Sequence, residues 1–411
     1  MRTRILDAIL FSVLGLAIFV SVVSHPVVTE NVLAGYLDFT SFYAAGRIVK
    51  GGAGERLYDY RTQAAYQTEF GNRPAPLLFN HAPFESLIFA PLAYFSPLAA
   101  YRIWAFINLG LLVLCGYFLR DYLENIRSLF VRAALVLSSF FPALVALVQG
   151  QDSILLLFWY VLAFRSFKHD QEFRAGGFLA LGIFKPQLVL PFLVVLLTPK
   201  RWRTLAGFLT VAAALLVVSL GITGWEGIRN WPDLMRYQNS GSAGAVLHSE
   251  KAILPPAMAN VRGVLAALLS GAIAEGYLNL LIGLISLSLL GWSVSQWRGS
   301  YDTRPRPFDL RFSFSLLITM LVSYHMYYHD LILAALPTLL VLHHVESAGG
   351  GLRVRRMGLL TALLLSFVIP LYVMGQQTRQ FYPLAAVLLA VAALSSAEIR
   401  DARKAFETPA A

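Results

Sequence analysis

The chain has 411 residues, of which 57% are hydrophobic and only 14% are charged. Soluble globular proteins carry about a quarter charged residues, so this composition excludes an ordinary soluble enzyme and predicts that lipid covers much of the surface. The formal net charge is +10, but the basic residues fall in short clusters between apolar runs, which is typical of cytoplasmic loops and does not indicate a nucleic-acid partner. The single cysteine, Cys115, lies inside an apolar run, so neither a disulfide framework nor a cysteine metal site is expected.

Apolar runs follow one another along the whole chain. They occupy residues 5–24, 83–119, 128–148, 153–167, 175–199, 203–223, 277–296, 311–325, 328–343, 357–374 and 380–397. Because only helices satisfy their own backbone in hydrocarbon, we predict an all-α polytopic membrane protein with about 10–12 transmembrane helices in a single domain, 1–411. The first run follows Arg2 and Arg4 and no cleavage motif follows it, so it is interpreted as a retained span.

The basic clusters predict the orientation in the membrane. Lys/Arg clusters near 200–203, 298–311, 353–356 and 400–404 can all be cytoplasmic if four segments face outward: the first loop (25–82), the second loop (224–276), 324–330 and 375–380. Both termini are then cytoplasmic, and the chain is a multi-pass protein of the inner (plasma) membrane. The run 175–199 permits two registries, one interrupted at Lys185 and one that buries Lys185 in a single span. The interrupted registry is preferred.

The first loop opens with a candidate functional carboxylate, Asp38. Behind it, Phe39, Phe42, Tyr43 and Gly46 recur at helical spacing, which predicts an amphipathic helix in the plane of the membrane interface. A second, weaker amphipathic segment extends from 56 to 70, with Gln63 expected to be exposed. Asp38 itself is either an N-cap, a position that favours Asp, or a functional group.

Three further polar groups interrupt apolar runs. Lys185 lies between Phe184 and Pro186 and is interpreted either as a phosphate-binding cation or as a snorkelling lysine. The stretch 149–152, which contains Gln151, can hold sugar hydroxyls or pair helices. The loop 225–262 combines aromatic residues with glycines, which suits a lid over a sugar or lipid, although tryptophan anchors at the interface explain it equally well.

Residues 323–330 contain His325, His329 and Asp330 between two short apolar runs. This group is compatible with a metal site, a phosphate site or a proton relay, and also with a purely structural His–Asp hydrogen bond. A His-x-x-x-His pair without further ligands is a weak metal signal, so no metal site and no cofactor are predicted. The chain has no GxGxxG after a strand, Walker A, GxSxG or HExxH motif, which argues against a cytosolic nucleotide-sugar enzyme.

In this order, the motifs resemble those of glycosyltransferase family 87. The segment 38–59, DFTSFYAAGRIVKGGAGERLYD, is similar to the family's first-loop signature, in which an Asp-Phe start and an Ala-Gly pair are followed by Leu-Tyr-Asp. The resemblance continues through residues 80–84, where His81 and Ala82 depart from a Tyr-Pro-Pro-like stretch. It extends through Gly150-Gln151, Lys185-Pro186-Gln187 and 323–330, so that it covers roughly residues 1–345.

The resemblance implies a GT-C fold and inverting transfer of a hexose, commonly mannose, or a pentose from a polyprenyl-phosphate sugar. The implied partners are this donor, a lipid or glycan acceptor and membrane lipids. Asp38 matches the general base, with Glu69 and Glu85 as substitutes. Residues expected to bind the donor phosphate are Lys185, His329 and His325, and those expected to bind sugar or acceptor are Tyr43, Gln151, Gln187 and Asp330. The alternatives are an O-antigen-ligase-like transferase and a lipid-linked sugar flippase or transporter.

Overall fold

The structure is a computed structural model, and it describes residues 17, 19–70, 76–124, 141–198, 201–239, 254–297, 306–347, 374–375 and 377–407. Within these ranges the regular secondary structure is helical, and the only β pairing is isolated bridges such as Met258 with Tyr327. The all-α prediction is confirmed.

Five of the described helices are long and apolar enough to cross a membrane: Pro97–Phe118, Trp202–Arg236, Glu275–Gln296, Tyr328–Glu346 and Pro383–Asp401. The chain is therefore a polytopic membrane protein, as predicted. The apolar runs 5–24, 128–148 and 357–374 lie wholly or partly outside the described residues, so the total number of spans stays a prediction.

The chain folds as two compact units. The first comprises residues 1–110, 147–151 and 218–252. Its helices include α1 (Pro26–Leu33), α2 (Phe39–Lys50), α3 (Tyr60–Ala65), α4 (Ser86–Phe89), residues 97–110 of α5 (Pro97–Phe118) and the later part, from residue 218, of the helix Trp202–Asn239.

The helix predicted after Asp38 is present as α2, but it is buried on almost every side instead of on one face. The ring of Phe42 stacks on that of Phe89, with the centroids 4.9 Å apart. A Cβ atom at Gly46 would lie 2.5 Å from the carbonyl group of Phe89. Only glycine therefore allows the backbones of α2 and α4 to pack this closely, and α2 becomes the core of the first unit.

Gln63, expected to be exposed, is buried, so that expectation is wrong. Its side-chain amide donates to the carbonyl oxygens of Leu57 at 2.8 Å and Phe79 at 3.0 Å, and accepts from the Phe79 amide at 2.8 Å. A glutamine amide has both donors and an acceptor. Gln63 therefore supplies hydrogen-bond partners to the loop backbone at Leu57 and at Phe79, where no regular secondary structure supplies them.

The second unit comprises residues 111–146, 152–217 and 253–411. Its helices include α6 (Arg120–Glu124), most of α7 (141–149), α8 (Ser153–Lys168), α9 (Glu172–Leu181), α10 (Leu190–Leu197), the start of α11 (Trp202–Asn239), α12 (Val261–Leu269), α13 (Glu275–Gln296), α14 (Arg306–Val322), α15 (Ala335–Ser347) and α16 (Pro383–Glu407).

Helix α14 forms the centre of this unit. It packs against α10, α13, α15 and α16, and residues 308–321 are all buried. The ring of Phe312 contacts those of Phe164 and Phe192 at centroid distances of 5.1 and 4.8 Å. Because these residues are buried on every side of the helix, α14 lies in the interior of this unit, and its buried Asp309 is paired with Lys168 at 2.8 Å.

The run 175–199 is not one helix. Helix α9 ends at Leu181 and α10 begins at Leu190. Lys185 immediately precedes the short 3₁₀ turn Pro186–Leu188 in the gap. The interruption at Lys185 is thus confirmed.

Two glycines let α9 and α11 cross closely. A Cβ atom at Gly176 would lie 1.9 Å from the carbonyl oxygen of Thr204, and one at Gly207 would lie 1.9 Å from that of Phe173. Small residues at a crossing allow close van der Waals packing of helix backbones, which is a common way for helices to associate in membranes.

The outward orientation of the first loop can be tested with thiol chemistry. We expect a cysteine introduced at Ala65, which is exposed at the end of α3, to react with a membrane-impermeant thiol reagent in intact cells or spheroplasts. The native Cys115 is buried, so the background should be low. A cysteine at the exposed Arg203, in a basic cluster predicted to be cytoplasmic, is the matched control and should react only after lysis. The opposite pattern would show that the predicted orientation is wrong.

Candidate active site

Asp38 stands immediately before α2, yet its side chain does not cap that helix. The residue has φ −61° and ψ −25°, and its carboxylate accepts no hydrogen bond from the first turn. Instead, Nε2 of Gln151 donates to Oδ2 of Asp38 at 2.7 Å. The Asp38 amide donates to Oε1 of Gln149 at 3.4 Å. The geometry therefore argues against the capping interpretation and leaves the half-buried carboxylate oriented by a neutral amide.

A glycine positions the two glutamines that contact Asp38. Gly150 has φ +64°, and a Cβ atom there would lie 2.6 Å from the Cβ of Phe39. The indole N–H of Trp104 donates to the Gly150 carbonyl at 2.9 Å. A left-handed turn pressed against another helix requires glycine, which explains why Gly150 separates Gln149 from Gln151.

The other predicted residues of the first unit have different partners. The phenol of Tyr43 donates to the Phe95 carbonyl at 2.8 Å. Burial raises the pKa of Tyr43, the charge of Glu69 adds to the rise and Arg47 opposes it, so this phenol stays a hydrogen-bond donor. Glu69 forms an ion pair with Arg47.

Glu85, the second substitute for the base, is completely buried. One of its carboxylate oxygens lies 2.7 Å from Nδ1 of His81. The Tyr58 phenol donates to the His81 carbonyl at 2.6 Å, and burial together with the charge of Glu85 raises the pKa of Tyr58. Glu69 and Glu85 are therefore each engaged by a basic side chain, whereas the partner of the Asp38 carboxylate is uncharged.

In the second unit, Lys185 is the centre of a buried ionic cluster. Its ammonium lies 2.7 Å from Oδ1 of Asp152, 2.6 Å from Oδ1 of Asp330 and 2.9 Å from Oγ of Ser153. The Ser153 hydroxyl in turn donates to Asp330 at 2.7 Å. All four side chains are buried. We call these residues (Asp152, Ser153, Lys185, Asp330) the lysine cluster.

The contacts of Lys185 are already occupied within the lysine cluster. Its ammonium, which has three donors, donates to Ser153 and Asp330 and forms an ion pair with Asp152. In this arrangement a donor phosphate would have to replace one of them. The role predicted for Lys185 in phosphate binding stays a prediction.

The predicted histidines lie beside the lysine cluster in the same unit. Nε2 of His329 lies 3.6 Å from Oδ2 of Asp330, and the ring of His325 is 4.6 Å from that of Tyr327. Gln187 donates to the His325 carbonyl at 3.3 Å. Residues 185–187 and 325–330 are thus brought together, although each arises from a different break in the helical order.

Sequence reasoning included Asp152 only in the stretch 149–152, expected to hold sugar hydroxyls or pair helices, and assigned no role to Ser153. Both follow the Gln-Gly-Gln stretch directly, and Asp152 is a charge at the edge of an apolar run. A charge in that position is a signal of a buried partner. The partner could not be found from sequence, because Lys185 and Asp330 are distant in the chain.

The lysine cluster combines one ammonium with two carboxylates, so its charge balance predicts an asymmetric response to substitution. Lys185→Met should leave two buried carboxylates without a cation and cost about 3–5 kcal/mol of unfolding free energy. Asp330→Asn keeps the ion pair of Lys185 with Asp152 and should cost less, about 1–3 kcal/mol. Unfolding of the purified protein in detergent measures both.

Arg203→Met is the control for this comparison, because Arg203 is exposed and surface substitutions usually change stability by less than about 0.5 kcal/mol. If Asp330→Asn were more destabilising than Lys185→Met, the lysine would not be the residue that balances the cluster.

Comparison with known proteins identifies the family. The model of glycosyltransferase family 87 matches residues 79–324, which is more than half of the chain. The matched range contains Gln151, Lys185 and Gln187; it begins after Asp38 and Tyr43 and ends before His325. No curated protein and no solved structure matches the chain. The chain belongs to glycosyltransferase family 87 and is a membrane glycosyltransferase.

Proposed function

We propose that the protein transfers a hexose, in the first instance mannose, or a pentose from a polyprenyl-phosphate sugar to a lipid or glycan acceptor at the extracytoplasmic face of the inner membrane. The observation that carries this proposal is the Asp38 carboxylate, which bonds to Gln151 and leaves its own helix uncapped. Membership of a glycosyltransferase family favours this function over that of a flippase or transporter.

Asp38 acts as the general base in a single inverting displacement. The acceptor hydroxyl attacks the anomeric carbon, its O–H bond breaks and the proton passes to the Asp38 carboxylate. The bond from the anomeric carbon to the phosphate oxygen breaks at the same time, and the lipid phosphate leaves with the electron pair. A base in hydrogen-bond reach is the group that such an attack requires.

Gln151 orients the base. Its amide occupies one carboxylate oxygen of Asp38 at 2.7 Å and leaves the other oxygen to receive the acceptor proton. A neutral donor fixes the direction of the carboxylate without supplying a counter-charge. Tyr43 completes the predicted sugar and acceptor contacts of this unit.

The donor phosphate needs charge stabilisation as it leaves. We assign this role to His329, with Lys185 holding Asp330 beside it. His325 is held in reserve, because burial lowers its pKa to about 3 and its neutral ring offers the phosphate a hydrogen bond without a charge. In this assignment Lys185 contributes to phosphate binding indirectly, because it fixes the position of Asp330 and, through it, of His329. It contributes directly if the donor phosphate replaces the carboxylate of Asp152 or Asp330 at its ammonium. Gln187 and Asp330 are proposed to bind the sugar.

A membrane-embedded enzyme suits a donor of this kind. A polyprenyl chain keeps the donor in the bilayer, so the enzyme must present its site at bilayer depth. No cofactor enters the proposed reaction, because the displacement needs only a base and an anion-binding group.

Asp38→Asn separates a base from a cap. The amide keeps the size of the carboxylate but cannot take up a proton, so we expect normal folding and a fall in turnover of at least about a hundredfold. Turnover is measured on purified protein with a panel of synthetic polyprenyl-phosphate sugars, including mannose and arabinose, and a crude lipid or glycan acceptor.

Asp59→Asn is the matched control in the same loop. Asp59 does cap a helix, because its Oδ1 accepts from the amide and hydroxyl of Thr62 at 2.7 Å, and these bonds lower its pKa. This variant should lose at most about 2 kcal/mol of stability with near-normal turnover per folded molecule. Near-wild-type transfer by Asp38→Asn would remove Asp38 from the mechanism, and use of a nucleotide sugar in place of every polyprenyl-phosphate donor would overturn the proposed donor.

A further inference from the structure

A cavity of about 660 Å³ lies in the second unit, away from the residues assigned to glycosyl transfer. Its described walls come from α8, α9, α11 and the end of α5, and none of the predicted site residues lines it. Its size falls in the range of small-molecule sites, about 300–1,000 Å³.

Two arginines line the cavity without a carboxylate partner among the described residues. Within the part of the chain that the structure describes, Arg165 donates to the Phe118 carbonyl at 3.4 Å, and Arg174 donates to Oε1 of Gln171 at 3.2 Å. Neither forms an ion pair there, and the guanidinium of Arg165 also lies over the Phe118 ring at 5.4 Å. Two positive charges therefore border one cavity with only neutral acceptors against them.

The basic residues next to Arg165 and Arg174 do have carboxylate partners, so within this described group the lack of an ion pair is confined to these two arginines. Lys168 pairs with Asp309 at 2.8 Å, and Arg201 pairs with Glu172 at 2.5 Å. Glu172 lies in sequence between the cavity-lining residues Gln171 and Phe173. Its carboxylate pairs with Arg201 and not with Arg174. A guanidinium offers a fork of N–H donors that matches a phosphate or carboxylate, so the cavity has the charge of an anion site.

The remaining walls are apolar. Leu162 lies about one turn before Arg165 on α8, and Leu181 lies at the far end of α9 from Arg174. Val211 lies about 14 Å along α11 from Trp202, at 1.5 Å per residue, and α11 contains a membrane-spanning stretch. The cations thus lie near the turn between α8 and α9, and the apolar walls extend away from that turn along the helices.

We propose that this cavity binds one anionic phospholipid, with its phosphate at Arg165 and Arg174 and an acyl chain along Leu162, Leu181 and Val211. Basic pockets between membrane helices bind anionic head groups in this way. A soluble anion would use the arginines but would leave the apolar walls empty. The exposed His169 lies at the same rim.

Native mass spectrometry of the full chain, purified in detergent and stripped of lipid, tests the proposal. The probes are phosphatidylglycerol, phosphatidylcholine of the same chain length, inorganic phosphate and polyprenyl phosphate. We expect one phosphatidylglycerol to be retained in preference to phosphatidylcholine. The double variant Arg165→Gln/Arg174→Gln should lower that retention by at least about tenfold, since each cation near an anionic head group contributes to binding.

Two further variants keep the test decisive. Arg174→Gln alone changes only an exposed residue bonded to Gln171, so it should fold normally and weaken retention in part. Arg203→Gln/Arg400→Gln removes two exposed arginines that do not line the cavity, and it should retain phosphatidylglycerol like the wild type.

The proposal is overturned by equal retention of both phospholipids, by unchanged retention in the Arg165/Arg174 double variant, or by an equal loss in the Arg203/Arg400 control. Displacement of phosphatidylglycerol by inorganic phosphate would identify a soluble-anion site instead. Preferential retention of polyprenyl phosphate through the same arginines would make the cavity a donor site and would likewise overturn the assignment to a phospholipid.

Discussion

The ammonium of Lys185 is the charge on which the polar centre of the second unit depends. It joins the start of α8, through Asp152 and Ser153, to the 3₁₀ helix Tyr328–Ala334, which carries Asp330. Asp330 in turn accepts from the Tyr327 amide at 3.3 Å, so the same cluster fixes the entry to that helix. Removing two carboxylates from water is costly unless a cation and hydrogen bonds compensate them, and here one lysine compensates both. Three interruptions of the helical order are therefore held by a single side chain.

In the first unit the controlling constraint is conformational. Gly150 adopts a left-handed turn against Phe39. As a result, Gln149 accepts from the backbone amide of Asp38, and Gln151 donates to its carboxylate. The carboxylate is directed by a neutral donor, whereas Glu69 and Glu85 each have a basic neighbour. Each of the three carboxylates has one oxygen in a contact with its partner. The feature that distinguishes Asp38, and suits it to the proposed role of proton acceptor, is that its partner carries no charge.

Periodicity and hydropathy predicted what is local in this fold. The helix after Asp38, the break at Lys185 and the apolar spans could be predicted because each follows from a few consecutive residues. The burial of Gln63 and the whole-surface burial of α2 could not, because they depend on Phe79 and Phe89, which lie elsewhere in the chain. In the lysine cluster, Lys185 and Asp330 were predicted as functional residues, but their contacts with each other and with Asp152 were not, for the same reason. An isolated charge at the edge of an apolar run indicates a partner, but its identity is set by packing over more than a hundred residues.

The exposure of the helices indicates how a lipid reaches the cavity bordered by Arg165 and Arg174. The apolar stretches of α11 and α13 are mostly exposed, whereas Tyr328–Glu346 is mostly buried. In a bilayer an apolar helix surface that no protein covers faces lipid, so the α11 wall of the cavity lies at the boundary between protein and lipid. Next to the cavity, the glycine pair Gly176 and Gly207 brings α9 and α11 into backbone contact. A Cβ atom at Gly177 would lie 3.3 Å from Cγ2 of Val211, and both residues line the cavity. The wall of the cavity therefore continues directly from this glycine crossing. A lipid entering from the side would then bring its head group to the arginines without passing through solvent.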